Sequence, residues 1–219
     1  MKTLMNFGIA LLLVFAFSCS TESEPDELIG VSAKASGKQM TSIGGLGGIT
    51  GTSTLHRNKN GITVNFKAEG LHPGAYTIWW VIWNNPQDCA TPGECNEGDF
   101  ATPVEVEVEV MYAGGHVVGK NGKGNFSAHL KAGDDSPESM NESFGFPSVG
   151  GLTVGNTFGA EVHVVLRTHG PVVPGLVNEQ ISTYRGGCDE PFLYAPFTVY
   201  PNAIGECADI AAAVFAPAN

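Results

Sequence analysis

The sequence lacks any long stretch in which apolar residues recur at helical spacing, and it has few basic residues. Of its 219 residues, 11 are Lys or Arg and 22 are Asp or Glu, which gives a formal net charge of −11 at pH 7. A chain this acidic is a poor partner for nucleic acid and for anionic lipid surfaces. The missing helical periodicity argues against a helical protein and favours a fold built from strands.

Short apolar or alternating runs, separated by Gly, Asn and Pro, take the place of helices. The 29 glycines of the chain suit a fold with many turns and bulges. The pattern predicts an all-β fold class, with an antiparallel β-sandwich or flattened barrel as a single domain. A folded part of about 180 residues is long enough to bury a substantial core without help.

The N-terminus has the features of an export signal. Lys2 precedes an unbroken apolar run at residues 7–17, which is shorter than the roughly 20 residues that a membrane-spanning helix needs. The following Ala-Phe-Ser-Cys sequence resembles the bacterial lipoprotein signal, in which the cysteine becomes lipidated. The resemblance implies a signal peptide at residues 1–18 and a lipid anchor at Cys19; an ordinary secreted protein is the alternative.

The residues after Cys19 are acidic and polar, and they contain too little apolar surface to order themselves. We expect a flexible acidic tether at residues 19–40, followed by the β-sandwich domain at residues 41–219. An acidic stretch directly after the lipidated cysteine resembles the surface-export signals of some bacterial lipoproteins. It implies display at the outer membrane or cell surface through the lipid anchor.

Cysteine usage agrees with export. Besides Cys19, the chain has four cysteines, an even number that suits two disulfides in an exported protein. Among the three possible pairings, Cys89 with Cys95 and Cys188 with Cys207 are favoured, because the members of each pair are near each other in sequence. A thiolate metal site would need reduced cysteines at tighter spacings.

Two early segments carry the clearest strand signals. Residues 52–57 and 61–68 predict a hairpin across an Asn-Gly pair, with Ile62, Val64 and Phe66 facing the core. Residues 76–83 are apolar on both faces and predict a strand buried on both sides. Their three tryptophans are expected to be core residues, with a sugar-stacking platform as the alternative.

Residues 104–112 alternate between valine and glutamate. This pattern predicts a strand with its valines inward and a row of three outward carboxylates, Glu105, Glu107 and Glu109. On an edge strand such a row protects against sheet-to-sheet aggregation. A calcium ladder is the alternative interpretation.

A second hairpin is predicted from residues 115–119 and 124–130, joined at an Asn-Gly pair. In this pairing His116 lies opposite Ser127, and His129 is a diagonal neighbour. Two histidines on one face could begin a metal site, and a partly exposed pair is the other interpretation. Residues 131–156 then form a long loop, of the kind that often acts as a lid or binding loop.

The strongest functional pattern lies at residues 160–170. In a strand, Val162, Val164 and Leu166 point to one face, and the opposite face carries Glu161, His163, Arg167 and His169. Glu161 with His163 suits a carboxylate-oriented imidazole, as in a general base or a metal ligand. Arg167 with His169 lies at the strand end, beside loops, where sites on rigid sheets usually form. Ion pairing and hydrogen bonding across neighbouring strands is the purely structural alternative.

Two hypotheses of function follow. In the first, a surface-displayed lipoprotein binds an extracellular ligand, a glycan or a small molecule, through Arg167, His169, Trp83 and Asn84. In the second, a metal-dependent or acid–base extracellular enzyme uses His116, His129, His163 and His169 with Glu161 and Arg167. The sequence names no cofactor, and it leaves enzymatic activity undecided. Nucleophilic catalysis has little support, because no serine lies in a nucleophile-elbow context.

The folded part of the chain carries two further resemblances. Gly-Leu-His-Pro-Gly at residues 70–74, followed by Asp-Cys at 88–89, resembles copper–zinc superoxide dismutases, which are β-sandwiches. Their strand carries copper-binding histidines, whereas residues 76–83 contain none, so the resemblance implies the architecture and not the activity. The segments Trp-Trp-Val-Ile-Trp-Asn-Asn-Pro, Gly-His-Val-Val-Gly, Arg-Thr-His-Gly-Pro and Gly-Leu-Val-Asn-Glu-Gln resemble a family of uncharacterised exported bacterial proteins, which implies no activity.

Overall fold

Two antiparallel sheets pack against each other in the computed structural model, which describes residues 37–188 and 207–218. The strands are β1 (Lys38–Ser42), β2 (Gly44–Gly45), β3 (Thr50–Asn58), β4 (Gly61–Glu69), β5 (Gly74–Trp83), β6 (Val108–Val118), β7 (Gly124–Lys131), β8 (Glu161–Thr168) and β9 (Ala208–Phe215). The first sheet has the order β1-β3-β4-β7 and the second β2-β9-β8-β5-β6. Two one-turn helices, α1 (Asn141–Phe144) and α2 (Val177–Gln180), lie in the connections. The all-β sandwich prediction is confirmed, and the sheets do not close into a barrel.

The main core lies between the sheets. Val64 and Phe66 of β4 face Ile78 and Trp80 of β5, and all four are at most 1% exposed. Burying each side chain of this size contributes roughly 2 kcal/mol relative to exposure. The alternation predicted for β8 is confirmed, since Val162, Val164 and Leu166 belong to this core.

A second apolar cluster covers the other side of β5. Trp79 and Trp83 alternate with the inward residues of the strand, so they point away from the first sheet. The connection between β5 and β6 folds over them, and it contains short 3-10 helices at Pro86–Asp88 and Glu97–Ala101. The prediction of a strand buried on both faces is therefore confirmed.

Several local predictions are confirmed in detail. The disulfides join Cys89 to Cys95 and Cys188 to Cys207. The first hairpin pairs Asn58 with Gly61. Gly61 is required by a close approach, because a Cβ there would lie 2.3 Å from the carbonyl oxygen of Leu130 on the neighbouring strand.

The prediction of three outward glutamates at residues 104–112 is wrong for Glu109. Strand β6 begins only at Val108, and Glu107 before it has a positive φ of 45°. Glu105 is exposed, whereas Glu109 is completely buried. Its carboxylate is held by backbone N–H groups and hydroxyls of the 139–151 segment, which replace the water it has lost.

The prediction of a hydrogen-bonded hairpin at residues 115–130 is also wrong. Strand β6 pairs with β5 along its length and β7 pairs with β4, so the two strands lie in different sheets. The link at residues 119–123 therefore crosses between sheets. His116 pairs with Tyr76, and His129 pairs with Thr63. The expected pairing of His116 with Ser127 is not formed.

The sandwich begins slightly earlier than predicted. Residues 38–40, assigned from sequence to the tether, are part of β1 and pair with β3. The predicted signal peptide and Cys19 lie outside the described residues. Among residues 37–188 and 207–218, no helix is long and apolar enough to cross a membrane.

Arg57 is a buried clamp at one end of the sandwich. Its guanidinium donates to the backbone carbonyls of Thr157, Ala160, Phe215 and Ala216. Burial lowers the pKa of Arg57 to about 10, and the charge of nearby Glu161 partly offsets this effect. The clamp fixes the start of β8, where the functional pattern begins.

Candidate functional site

A cavity of about 380 Å³ opens on the outer face of the second sheet, the face directed away from the first sheet. Residues of three strands form its floor: Trp79, Val81 and Trp83 of β5, His163 and Val165 of β8, and Asp209 and Ala212 of β9. Phe100, Phe144 and Tyr184 from the connections form its walls, with Glu97 beside them. We call this space the outer-face cavity. Its volume lies in the range of small-molecule sites, about 300–1,000 Å³.

Aromatic rings in mutual contact give the cavity its shape. Trp83 stacks on Phe100 with ring centroids 5.1 Å apart and an interplanar angle of 18°. Tyr184 meets Trp79 edge to face at 5.0 Å and Phe144 at 5.7 Å. Such contacts stabilise by about 0.5–1.5 kcal/mol each beyond area burial, so they hold the walls in fixed positions.

His163 and Glu161 form a hydrogen-bonded pair at the cavity floor. His163 Nε2 lies 2.6 Å from Glu161 Oε1, and the same oxygen accepts from the backbone N–H of Cys95 at 3.0 Å. An ionised carboxylate only accepts, so Nε2 then carries the hydrogen and Nδ1 is the basic nitrogen of the neutral ring. The disulfide loop thus fixes Glu161, and Glu161 orients the imidazole.

Two buried polar atoms beside this pair lack a hydrogen-bond partner among the described residues. They are Glu161 Oε2 and Trp83 Nε1, and the two residues are direct cross-strand neighbours. A buried polar group without a partner costs about 1–3 kcal/mol. This cost, next to an aromatic cavity, is typical of a place where a ligand or a bound water completes the hydrogen bonding.

Arg167 holds one edge of the cavity without lining it. It is 1% exposed, donates from Nη1 to Asp209 at 2.8 Å and from Nε to the carbonyl of Tyr184 at 3.0 Å. Its guanidinium also lies 3.8 Å from the centre of the Tyr184 ring. Arg167 is therefore a positioning residue, which places two lining side chains from two different segments.

His169 connects the cavity floor to the segment before Cys188. Trp79 Nε1 donates to Thr77 Oγ1 at 2.8 Å, Thr77 Oγ1 lies 2.9 Å from His169 Nε2, and His169 Nδ1 lies 2.8 Å from the carbonyl of Gly186. A carbonyl only accepts, so Nδ1 carries the hydrogen and Nε2 accepts from Thr77. Burial lowers the pKa of His169 to about 4; the Gly186 hydrogen bond opposes this shift and the charge of Arg167 adds to it.

His169 also lies close to the second disulfide. Its Nδ1 is 3.4 Å from Cys207 Sγ, and with Cys188 these atoms all fall within 4.8 Å of one another. The spacing would suit a metal, but the two sulfurs are bonded to each other and are not thiolates. The rest of the loop between these cysteines lies outside the described residues.

The structure does not assemble the four histidines of the metal or acid–base hypothesis. His116 on β6 packs its exposed ring against Phe126, and His129 on β7 bonds to Thr63 in the other sheet. His163 and His169 are six residues apart along one strand direction, a span of about 20 Å. The metal pair His116 and His129 thus lies in two separate sheets.

The four ligand-binding residues predicted from the sequence do not lie together at the cavity either. Trp83 lines the outer-face cavity, whereas Arg167 and His169 are buried behind it. Asn84 is 3% exposed and binds the backbone of Gly151 and Thr153, so it anchors a loop. Sequence reasoning did not find the walls, Phe100, Phe144 and Tyr184, or the carboxylates, Glu97 and Asp209. The sequence indicated them only indirectly: a strand that is apolar on both faces, such as β5, needs other residues to pack over its outer face.

Comparisons with known proteins supply no assignment of function. No family model, characterised protein or solved structure matches the chain. The resemblances drawn from the sequence remain predictions, and the geometry of the outer-face cavity carries the functional argument.

Proposed function

We propose that the chain is a surface-displayed bacterial lipoprotein whose β-sandwich binds a small extracellular molecule in the outer-face cavity. One observation carries this proposal: an aromatic cavity of about 380 Å³ beside two buried polar atoms, Glu161 Oε2 and Trp83 Nε1, that lack partners among the described residues. The surface location rests on the signal-like N-terminus and the cysteine at position 19.

A small molecule suits this cavity better than a glycan. Sugar-stacking platforms present exposed rings, whereas Trp79 and Trp83 are each 1% exposed and lie at the bottom of a recess. A flat body of one or two rings is of a size that suits a recess of about 380 Å³. Few polar groups line the cavity, so a polyhydroxylated ligand would leave many hydroxyls unpaired.

Filling the cavity by mutation tests the proposal. Ala212 lines the floor on β9, and Val214, two residues further along the strand, is 49% exposed and lies outside the lining. We expect Ala212→Leu to weaken binding of the neutral dye N-phenyl-1-naphthylamine about tenfold, because overpacking costs roughly 1–3 kcal/mol. Dye fluorescence titration of the full-length chain measures this.

Val214→Leu is the control, since it places a leucine on the same strand at an exposed position outside the lining, although it adds one carbon where Ala212→Leu adds three. It should bind the dye like the wild type. Equal dye affinity in all three proteins, or no dye binding by the wild type, would contradict a ligand site at this place. A glycan array that finds a tight oligosaccharide while the dye does not compete would favour the glycan instead.

Acid–base catalysis in the same cavity is a second candidate function. The 2.6 Å contact between His163 and Glu161 favours it, because a carboxylate-oriented imidazole facing an apolar cavity suits a general base. A compound that binds the wild type should then be converted, and His163→Gln should bind it without converting it. Binding with no product from either protein would leave the binding module as the function.

A further inference from the structure

The few charged and hydrogen-bonding groups at the outer-face cavity are mostly carboxylates and hydrogen-bond acceptors. We propose that it selects a molecule with a positively charged amino group on a flat apolar body, an inference that rests on the proposed function. Two carboxylates, Glu97 and Asp209, line the cavity directly. A third, Glu161, bonds to His163 behind the lining, and the nearby charge of Arg57 offsets part of its own charge. The described lining includes no Lys or Arg.

Glu97 provides the charge that is not neutralised. It is exposed at the start of the 3-10 helix Glu97–Ala101, and no ion-pair partner for it occurs among the described residues. Asp209 differs, since it is paired with Arg167 at 2.8 Å. An ammonium group near Glu97 would meet an unopposed carboxylate, whereas a ligand carboxylate there would be repelled.

The hydrogen-bonding groups beside the floor are mostly acceptors. Glu161 Oε2 is buried without a partner among the described residues, and the Nδ1 of a neutral His163 is an acceptor when Nε2 donates to Glu161. Trp83 Nε1 is the donor among them. An amino group supplies up to three donors, so it fits this set better than a carboxylate or a phosphate does.

Aromatic faces complete the recognition of a cation. The walls contain Phe100 and Phe144, and the floor contains Trp79 and Trp83. Ring faces attract ammonium groups within about 6 Å, most strongly when water is excluded. Arg167 already uses this attraction at 3.8 Å from the Tyr184 ring centre, at the edge of the same cavity.

Three indole derivatives of matched size test the inference on the full-length chain: tryptamine, the neutral alcohol tryptophol, and indole-3-acetate. Each competes for N-phenyl-1-naphthylamine at low ionic strength and at high ionic strength. We expect tryptamine to compete about five times better than tryptophol, with indole-3-acetate the weakest. The preference for tryptamine should shrink at high salt, because its ammonium contacts are partly exposed.

Glu97→Gln and Glu94→Gln form the matched pair of variants. Both residues are exposed and lie three positions apart, but only Glu97 lines the cavity. Glu97→Gln should bring tryptamine to within about twofold of tryptophol and leave tryptophol unchanged, and Glu94→Gln should behave as the wild type. Equal competition by tryptamine and tryptophol in the wild type, with dye binding still weakened by Ala212→Leu, overturns the amine inference alone. Absence of dye binding to the wild type overturns the proposed function as well.

Discussion

Replacing Glu109 by alanine is expected to lower the free energy of unfolding by about 3–4 kcal/mol, one of the largest effects for a single residue outside the main core. Glu109 Oε2 accepts from the backbone N–H groups of Val149, Gly150 and Gly151 at 2.7, 3.1 and 3.4 Å, and from Ser148 Oγ at 3.1 Å. Its other oxygen accepts from the hydroxyl of Ser139. Truncation removes a completely buried side chain and leaves these donors, most of which belong to half-buried residues, without their acceptor.

Two further variants separate this role from a general effect of charge. Glu109→Gln keeps a carbonyl oxygen for the three N–H groups, and its amide can donate to Ser139, so the expected loss is only about 1–2 kcal/mol. Glu105→Ala removes an exposed carboxylate from the same segment and should change stability by less than about 0.5 kcal/mol. Urea unfolding of the four proteins measures the differences. Similar losses for Glu105→Ala and Glu109→Ala would contradict the buried network.

The contrast between Glu105 and Glu109 shows where sequence reasoning failed. Alternation with valine predicts that both glutamates are exposed, because period two assigns them to one face. The hydrogen-bond donors to Glu109 come from residues 139–151, which are distant in sequence. Gly150 and Gly151, with φ of 81° and 80°, turn their N–H groups toward the carboxylate. Adjacent glycines were visible in the sequence, but their partner was not.

Local patterns predicted the fold well. The hairpin at Gly61 and the double-sided burial of β5 each follow from short-range patterns and turn residues. The pairing of β6 with β5 and not with β7 depends on competition between distant strands. The hairpin predicted at the Asn-Gly pair therefore has the expected turn, since Gly122 has a positive φ of 66°, but the strand before this turn pairs with β5 and not with β7.

The candidate site was predictable only in part, for the same reason. The outward face of β8 correctly placed His163 and Glu161 together, since positions two apart share a face. Strand alternation does not show which residues of the connections pack over the outer face of the sheet. Phe144 and Tyr184 reach the cavity from connections 61 and 101 residues after Trp83. This cover buries Arg167 and His169, which the strand pattern had left exposed.

Burial of His169 makes the protein acid-sensitive. The pKa of this histidine falls from an ordinary value of 6.5 to about 4 in the folded state, mainly through burial. Between these pH values the unfolded chain binds a proton that the native protein does not, so stability rises with pH across this window. The stabilisation is complete above about pH 6.5. The loss of stability grows as the pH falls and reaches about 3 kcal/mol at about pH 4.

A histidine variant isolates this contribution. His169→Asn keeps a side-chain donor for the Gly186 carbonyl and removes the titrating ring, so it should be less stable at pH 7 but lose about 3 kcal/mol less than the wild type between pH 7 and pH 4. Urea unfolding at several pH values gives the two slopes. His116→Asn, which replaces an exposed ring, is the control and should keep the wild-type slope.

An unchanged slope in His169→Asn would contradict the assignment of acid sensitivity to this residue. Protonation of His169 should also affect the cavity, because His169 accepts a hydrogen bond from Thr77, which in turn accepts one from Trp79 on the cavity floor. Protonation of Nε2 turns it from an acceptor into a donor and forces the Thr77 hydroxyl to reorient. Ligand affinity in the wild type should therefore stay constant down to about pH 5 and weaken only as the pH falls to about 4 and below, where the native protein itself takes up the proton, and in His169→Asn it should not.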